Sequence, residues 1–492
     1  MPDQLEDQPI VETISFEGGM NAKDHPTQLQ NHDAYLINGD LRDRFLRRKR
    51  NGWNDPLGGT FTATGSGFLA LTSPSVVYAF FNNTAFRLGT EQTGLTATLA
   101  PTGTVVALSR VYRLSSTENI FSASTADATF TDEGSGNTSF PRCIKAIYTS
   151  TGRMLALDST NGLYYSNALA PQTWDRTVQK LTLTSPLDGS NVDMIEYRPG
   201  LVVIARQDAL MQLDISNPNP SFWTLRVLVP EIRFLTASRH SLDMAFGQLF
   251  VITKSGLFTL QQLLSSPSPR ALSYELNLVL STTGRYDIFC MNNRLWLYSD
   301  QTLKTYGSFT IRAFEYDIET NRWTALAGAA NTVWGSTVTD MISFANIPYA
   351  LTTGQQILRD ALTDITYDET TILGAAAITY LFETRAFLGG DITIKKTGLM
   401  LEVAYLGDAA VTPTVEYMID ESGTWVALTS GVSSLTGTSG QIYKMKIPLL
   451  SLEYYSIRFR WQTVDVSQEV GVTSKIISLS VFHSPQNVEW GG

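Results

Sequence analysis

Four stretches of the chain open in the same way: Asp193-Met194-Ile195-Glu196-Tyr197, Asp243-Met244-Ala245-Phe246, Asp287-Ile288-Phe289-Cys290 and Asp340-Met341-Ile342-Ser343-Phe344. In each, an acidic residue leads an apolar run, a short turn follows, and a second apolar run comes next, as in Leu201-Val202-Val203-Ile204-Ala205 and Arg294-Leu295-Trp296-Leu297-Tyr298. Three of the four add a third run, such as Gly256-Leu257-Phe258-Thr259-Leu260. The leading aspartates lie 50, 44 and 53 residues apart, close to the ~40–50 residues of a four-stranded propeller blade. Lys145-Ala146-Ile147-Tyr148 sits in the same frame 48 residues before Asp193, and Gly67-Phe68-Leu69-Ala70-Leu71 with Val76-Val77-Tyr78-Ala79-Phe80 looks like an earlier copy. Val105 to Ser122 reads as one more, degraded. The repeat predicts a β-propeller of six or seven blades, because a small twisted sheet buries both faces only by packing against neighbours around an axis.

The leading aspartate has two readings. It caps a turn or binds backbone amides near the axis, as short acidic side chains at strand entries do, or a ring of aspartates lines a channel and holds a cation. The first is favoured. After about Ala375 the repeat stops and alternating runs take over, in Thr379–Thr384, Leu399–Val403, Thr414–Ile419, Tyr443–Ile447, Tyr455–Trp461 and Ile476–Phe482. About six short strands predict an antiparallel β-sandwich. The expected class is therefore all-β: an extended N-terminal arm over residues 1–60, a propeller over 61–374 and a sandwich over 375–492.

Composition agrees. Hydrophobic residues make up 43% and charged residues 17%, enough apolar surface for more than one core. The net charge of −10 argues against a generic nucleic-acid binder, which neutralises phosphates with Lys and Arg. Cys143 and Cys290 form no CxxC pair, so a disulfide framework or Cys-based zinc site is not expected. Neither a signal peptide nor a run of about 20 apolar residues is present, and the expected product is soluble and made in a cytoplasm.

Catalytic signatures are missing as well. His25, His32, His240 and His483 show no HExxH spacing, and there is no GxSxG, Walker A or GxGxxG motif. No catalytic, cofactor-binding or metal-ligating residue is assigned. Asp420-Glu421-Ser422-Gly423-Thr424-Trp425 has the form of an Asp box but occurs once, outside the repeat, and reads as a hairpin over a packed Trp. Ala313 to Thr324, with Tyr316-Asp317 and Trp323-Thr324 flanking a turn, has the shape of a kelch element. The run Arg42 to Arg50 carries six basic residues and one acidic. A solvated charge run is its ordinary reading. In an acidic chain, Arg42, Arg44, Phe45, Arg47, Arg48, Lys49, Arg50 and Trp53 are the candidate partner-docking residues, for a protein surface ahead of DNA.

Phe16-Glu17-Gly18-Gly19-Met20-Asn21, then Ala34-Tyr35-Leu36-Ile37-Asn38-Gly39, then Leu41-Arg42 and Lys49-Arg50-Asn51-Gly52 resemble the opening of the tail nozzle, or tail hub, proteins of short-tailed phages. The layout of arm, propeller and sandwich is similar too, with Phe382-Glu383-Thr384 and Ile394-Lys395-Lys396 in matching places. The resemblance implies a virion subunit: a homo-hexameric ring below the portal and its adaptor, carrying fibres or spikes and conducting packaged DNA, with no cofactor and no small-molecule substrate. Some nozzle proteins are much longer, which leaves fibre-docking positions open. The competing reading is a glycan-binding or sialidase-like propeller protein, whose site would need paired carboxylates or a Tyr/Glu pair and an arginine cluster converging at the axis. Under the nozzle reading, residues 1–60 contact neighbouring subunits or the adaptor, and a chain lacking Met1 to Trp53 keeps a folded propeller.

Overall fold

The computed structural model describes residues 10–15, 35–37, 53–54, 67–360, 367–369, 375–465 and 475–485, apart from 73–75, 88–89, 126–128, 329–331, 345–346, 354–356, 390–391, 407–411 and 439–440. Seven small antiparallel sheets follow one another. Blade 1 holds Phe68–Thr72, Val76–Phe80, Ala85–Arg87 and Thr90–Glu91; blade 2 Gly103–Ala107, Arg110–Leu114, Phe121–Ser124 and Thr131–Asp132; blade 3 Lys145–Tyr148, Met154–Leu157, Gly162–Tyr165 and Lys180–Thr182. Blade 4 holds Asn191–Arg198, Leu201–Arg206, Ala209–Asp214 and Thr224–Pro230. Blade 5 has only Leu242–Ala245, Gln248–Thr253 and Gly256–Thr259. Blade 6 holds Tyr286–Met291, Arg294–Ser299, Ala313–Asp317 and Arg322–Leu326, with the hairpin Lys304–Tyr306/Phe309–Ile311 inserted. Blade 7 holds Val338–Phe344, Ile347–Thr352 and Ile357–Asp360.

The first strand of every blade touches the first strand of the next, and that of blade 7 touches that of blade 1. The ring closes at seven. The stretch read as degraded, Val105 to Ser122, belongs to a complete four-stranded blade; its short Ser- and Thr-containing strands hid the pattern.

Side-chain alternation explains the apolar runs. In blade 4, Val202 and Ile204 face blade 3, packing with Leu155 and Leu163, while Val203 and Ala205 face blade 5, packing with Leu249 and Val251. Both faces of a strand are buried, so it reads as continuously hydrophobic. The same division recurs at every interface, including the seam where Tyr349, Leu351 and Ile357 of blade 7 meet Leu69, Val77 and Ala79 of blade 1. In blade 5 the third strand runs on into the helix Leu260–Ser265, capped by Thr259 and Gln262, and the 3-10 turn Leu272–Leu276 lies along the edge where a fourth strand would pair. Its free edge is occupied by side chains: Leu257 N donates to Ser273 Oγ and Thr259 N to Gln262 Oε1. That edge is closed to strand addition.

The sandwich has one sheet in the order Ile10–Ser15, Lys475–Pro485, Lys396–Leu406, Ile442–Pro448. Its other sheet runs Ala375–Glu383, Ile457–Asp465, Thr414–Ile419, Val426–Leu428 and continues into blade 6 through Tyr35–Ile37. Val403, Ile447 and Val481 from the first sheet meet Phe387, Val415 and Phe459 from the second, in a core continuous with the interface of blades 5 and 6. A cluster of charges reinforces the joint. Glu383, almost fully buried, pairs with Arg458 at 2.9 Å and Arg460 at 2.8 Å, and Arg460 Nη2 donates to Tyr306 Oη of the blade 6 hairpin at 2.7 Å.

Three strands from the first 60 residues therefore pair inside the chain. Ile10–Ser15 forms a sandwich edge, in register from Ile10 opposite His483 to Ser15 opposite Ser478. Glu12 of that strand accepts from Leu388 N and Gly389 N and pairs with Arg385. Tyr35–Ile37 lies between Ala375–Glu383 and blade 6, and Trp53–Asn54 becomes the outer strand of blade 7. Propeller rings are commonly closed by a strand from far along the chain, and here the N-terminal segment supplies it.

Candidate functional site at the propeller axis

The repeated aspartates meet at the axis and act as clasps between blades. Asp193 Oδ2 accepts from Leu242 N of blade 5 at 3.0 Å, and Asp243 Oδ2 from Cys290 N of blade 6 at 2.5 Å. Asp340 Oδ2 accepts from Leu69 N of blade 1 at 2.7 Å, across the seam where the ring closes. In three of the four, the other oxygen accepts the next residue's own amide: Met194, Met244 and Met341. Asp287 instead takes the amides of Arg239 and His240 at 2.6 and 2.9 Å, from the segment leading into blade 5. In blade 2, Thr104 in the same frame donates Oγ1 to Leu69 O at 2.6 Å. The aspartates thus serve backbone amides. Among the described residues no group of three or more His, Cys, Asp or Glu side chains is arranged to hold a metal.

Protein cations complete the axis. Lys145, which occupies the aspartate position of blade 3, reaches Asp193 Oδ1 at 3.0 Å and His240 Nδ1 at 3.2 Å. An ammonium only donates, so Nδ1 is the acceptor and the ring proton sits on Nε2, 2.9 Å from Asp340 Oδ1. Arg285 Nε lies 3.1 Å from Asp287 Oδ2. Arg239 differs from the other two: it makes no carboxylate pair among the described residues, its Nη1 is buried without an acceptor, and its guanidinium stacks on Phe68 at 4.4 Å.

Burial pushes the Asp243 carboxyl up to about 6 against the pull of the Cys290 and Met244 amides and of the nearby His240 and Lys145 side chains. The folded chain therefore holds this proton more tightly than the unfolded chain does. Its contribution is most favourable below the unfolded value near 3.8 and is lost as pH rises through about 6. Raising the carboxyl from 3.8 to about 6 corresponds to roughly 3 kcal/mol. The stability difference between wild type and Asp243→Asn, followed by denaturant titration, should move against wild type by up to that amount between pH 4 and pH 7. A flat difference would contradict the assignment.

Of the sequence-predicted docking residues, Arg42, Arg44, Phe45, Arg47, Arg48, Lys49 and Arg50 lie outside the described residues. Trp53 is placed through its backbone, opposite Asp360 in blade 7. The kelch-like stretch forms the outer hairpin of blade 6, with Tyr316 and Trp323 rings 4.5 Å apart and Trp323 Nε1 donating to Leu272 O. The Asp-box-like stretch is a hairpin: Asp420 Oδ1 accepts from Tyr455 N and Ser456 N, and Arg460 lies 4.1 Å over the Trp425 ring. Sequence reading missed Arg239, His240 and Arg285 as axial residues. They sit just before first strands, where an alignment of the frame would have drawn attention to them.

No family model matches the chain, and no curated protein matches it. Solved structures similar to it include the extracellular domain of the hybrid two-component system BT3049 from B. thetaiotaomicron (8% identity, TM-score 0.43, 62% of this chain and 41% of that one). YCF48 bound to D1 peptide is similar at 9% identity and TM-score 0.42, over 63% of this chain and 95% of that one. BamB from Moraxella catarrhalis is similar at 10% identity and TM-score 0.36, over 63% and 97%.

Proposed function

We propose that this chain is a structural subunit of a short-tailed phage tail, a nozzle or hub protein that assembles into a ring around exiting DNA. The observation that carries the reading is the path of the N-terminal segment. It supplies a strand to the sandwich, to the junction and to the last blade, tying the two domains into one body, as a wall under internal pressure requires. The sequence resemblance of that same segment to nozzle proteins supports it, and the ion-paired, amide-clasped propeller axis fits a scaffold better than a hydrolase. DNA would run between copies, past a chain of net charge −10, with few of the salt-sensitive phosphate contacts that would hold a genome back.

Two measurements test this. The native mass should correspond to a closed ring, six copies under the resemblance. Duplex DNA should bind no tighter than the ~10⁻⁴–10⁻⁶ M of non-specific contacts at physiological salt. A species that is monomeric within intact particles, nanomolar DNA binding, or turnover of a glycan substrate would each overturn the reading.

A further inference from the structure

We propose that the propeller axis carries a binding site for a small polyhydroxylated carboxylate, such as a hexuronic acid, with Arg239 as the residue that receives the carboxylate. Two cavities meet there. One of about 460 Å³ is lined by residues that include Ser159, Ser190, Gln207, Thr236 and Arg239. The other, of about 260 Å³, is lined by Phe68, Lys145, Arg239, His240 and Asp340 among others. Arg239 and Thr102 belong to both linings, so Arg239 borders both spaces, with its guanidinium over Phe68 on the side of the smaller one.

Charge selects the ligand. Lys145 is engaged by Asp193 and His240, and Arg285 by Asp287. Among the described residues Arg239 alone of the axial cations has no carboxylate within ion-pair distance, and a buried N–H without an acceptor is a costly arrangement that a bound anion would relieve. Arg285 acts on the Arg239 charge, as do the Asp287 and Asp340 carboxylates, each of which already stands beside another nitrogen partner. Among the described residues Arg239 is the only ionisable one lining the larger cavity, which therefore suits one carboxylate. The planar guanidinium offers it two parallel donors. The rest of the lining mixes hydroxyl and amide side chains with Pro101, Ile144, Val192 and Ala237, polar groups for ligand hydroxyls and apolar ones for a sugar's C–H face. Ser159, Gln207 and Thr236 are exposed and Ser190 is half-buried, and their side chains make no hydrogen bond among the described residues, so they remain available to ligand hydroxyls. The volume is in the range of small-molecule sites, and the inference is independent of the tail assignment.

The experiment is calorimetric titration of the full chain with glucuronate, glucose and inorganic phosphate, on wild type, Arg239→Gln and Thr236→Trp. Wild type should bind glucuronate at least tenfold more tightly than glucose and than phosphate, and Arg239→Gln should lose at least tenfold toward glucuronate with its circular dichroism unchanged. Thr236→Trp occupies the exposed rim without touching the ion-paired axis, and should weaken glucuronate to the same degree even if Arg239→Gln fails to fold. Equal binding of glucose and glucuronate, phosphate binding as tight as glucuronate, or an unaffected folded variant would each overturn the proposal.

Discussion

Asp340→Ala is expected to destabilise the chain by about 3–5 kcal/mol, far more than removal of an outer aspartate such as Asp214. Asp340 is 2% exposed. It accepts from Met341 N and, across the ring seam, from Leu69 N, and it stands 2.9 Å from His240 Nε2. Alanine leaves two buried amides without an acceptor, at about 1–3 kcal/mol each, and removes the negative partner of the His240–Lys145 pair. The junction of blades 7 and 1 joins the two ends of the propeller, and this clasp reinforces the Leu69, Val77, Tyr349 and Leu351 packing and the Trp53–Asn54 strand that close it. Among the described residues the Asp214 side chain bonds Ser216, two residues away and exposed, and its replacement should cost less than about 1 kcal/mol. Urea titration of both variants decides the matter: equal losses would mean that the clasp adds nothing beyond local turn formation. Asp340→Asn should fall between them, since an amide oxygen keeps one acceptor and its NH₂ is a poor replacement for the other.

The aspartates were legible because a clasp repeated blade after blade must recur at a fixed offset, whereas its partners need not. Arg239 and His240 come from the connection into blade 5, which has no periodicity, and only Lys145 betrayed itself by standing in the aspartate frame. The sandwich strands were legible from alternation; Thr414–Ile419 is a strand with those bounds. Long-range pairing was not. Ala34 to Gly39 and Phe382-Glu383-Thr384 both stood out in the sequence, for separate reasons, yet nothing local says that Tyr35 lies opposite Glu383 and Leu36 opposite Phe382. Likewise, a two-residue strand at Trp53–Asn54 pairing with Arg359 and Asp360 leaves no periodic trace. Burial on both faces made blade strands conspicuous but concealed which face meets which neighbour, since Val203 and Ile204 look alike in sequence and point to different interfaces.

Shortening the chain from its N-terminus should therefore weaken it in steps and finally prevent folding, contrary to the expectation that a chain without Met1 to Trp53 keeps an intact propeller. Removal of residues 1–15 takes away one sandwich edge. It exposes the partners of Ile14 and leaves Arg385 and the amides of Leu388 and Gly389 without Glu12, a loss of roughly 3 kcal/mol from charged hydrogen bonds and apolar burial together. Removal through Ile37 also withdraws Leu36 and Ile37, both 0% exposed in the core shared by the sandwich and the interface of blades 5 and 6. Their burial is worth roughly 3–6 kcal/mol, and the sheet that joins blade 6 to Ala375–Glu383 is cut. Removal through Asn54 strips the outer strand from blade 7 and opens an unpaired edge at Ile357–Asp360, a template for aggregation. Against a total stability of about 5–15 kcal/mol, the first truncation should survive with a lowered denaturation midpoint, and the third should be insoluble or lack a cooperative transition. Calorimetric scans of the three chains beside the full-length protein measure the series. A soluble third truncation melting with the full-length midpoint would show that the N-terminal strands decorate the propeller and sandwich rather than hold them closed.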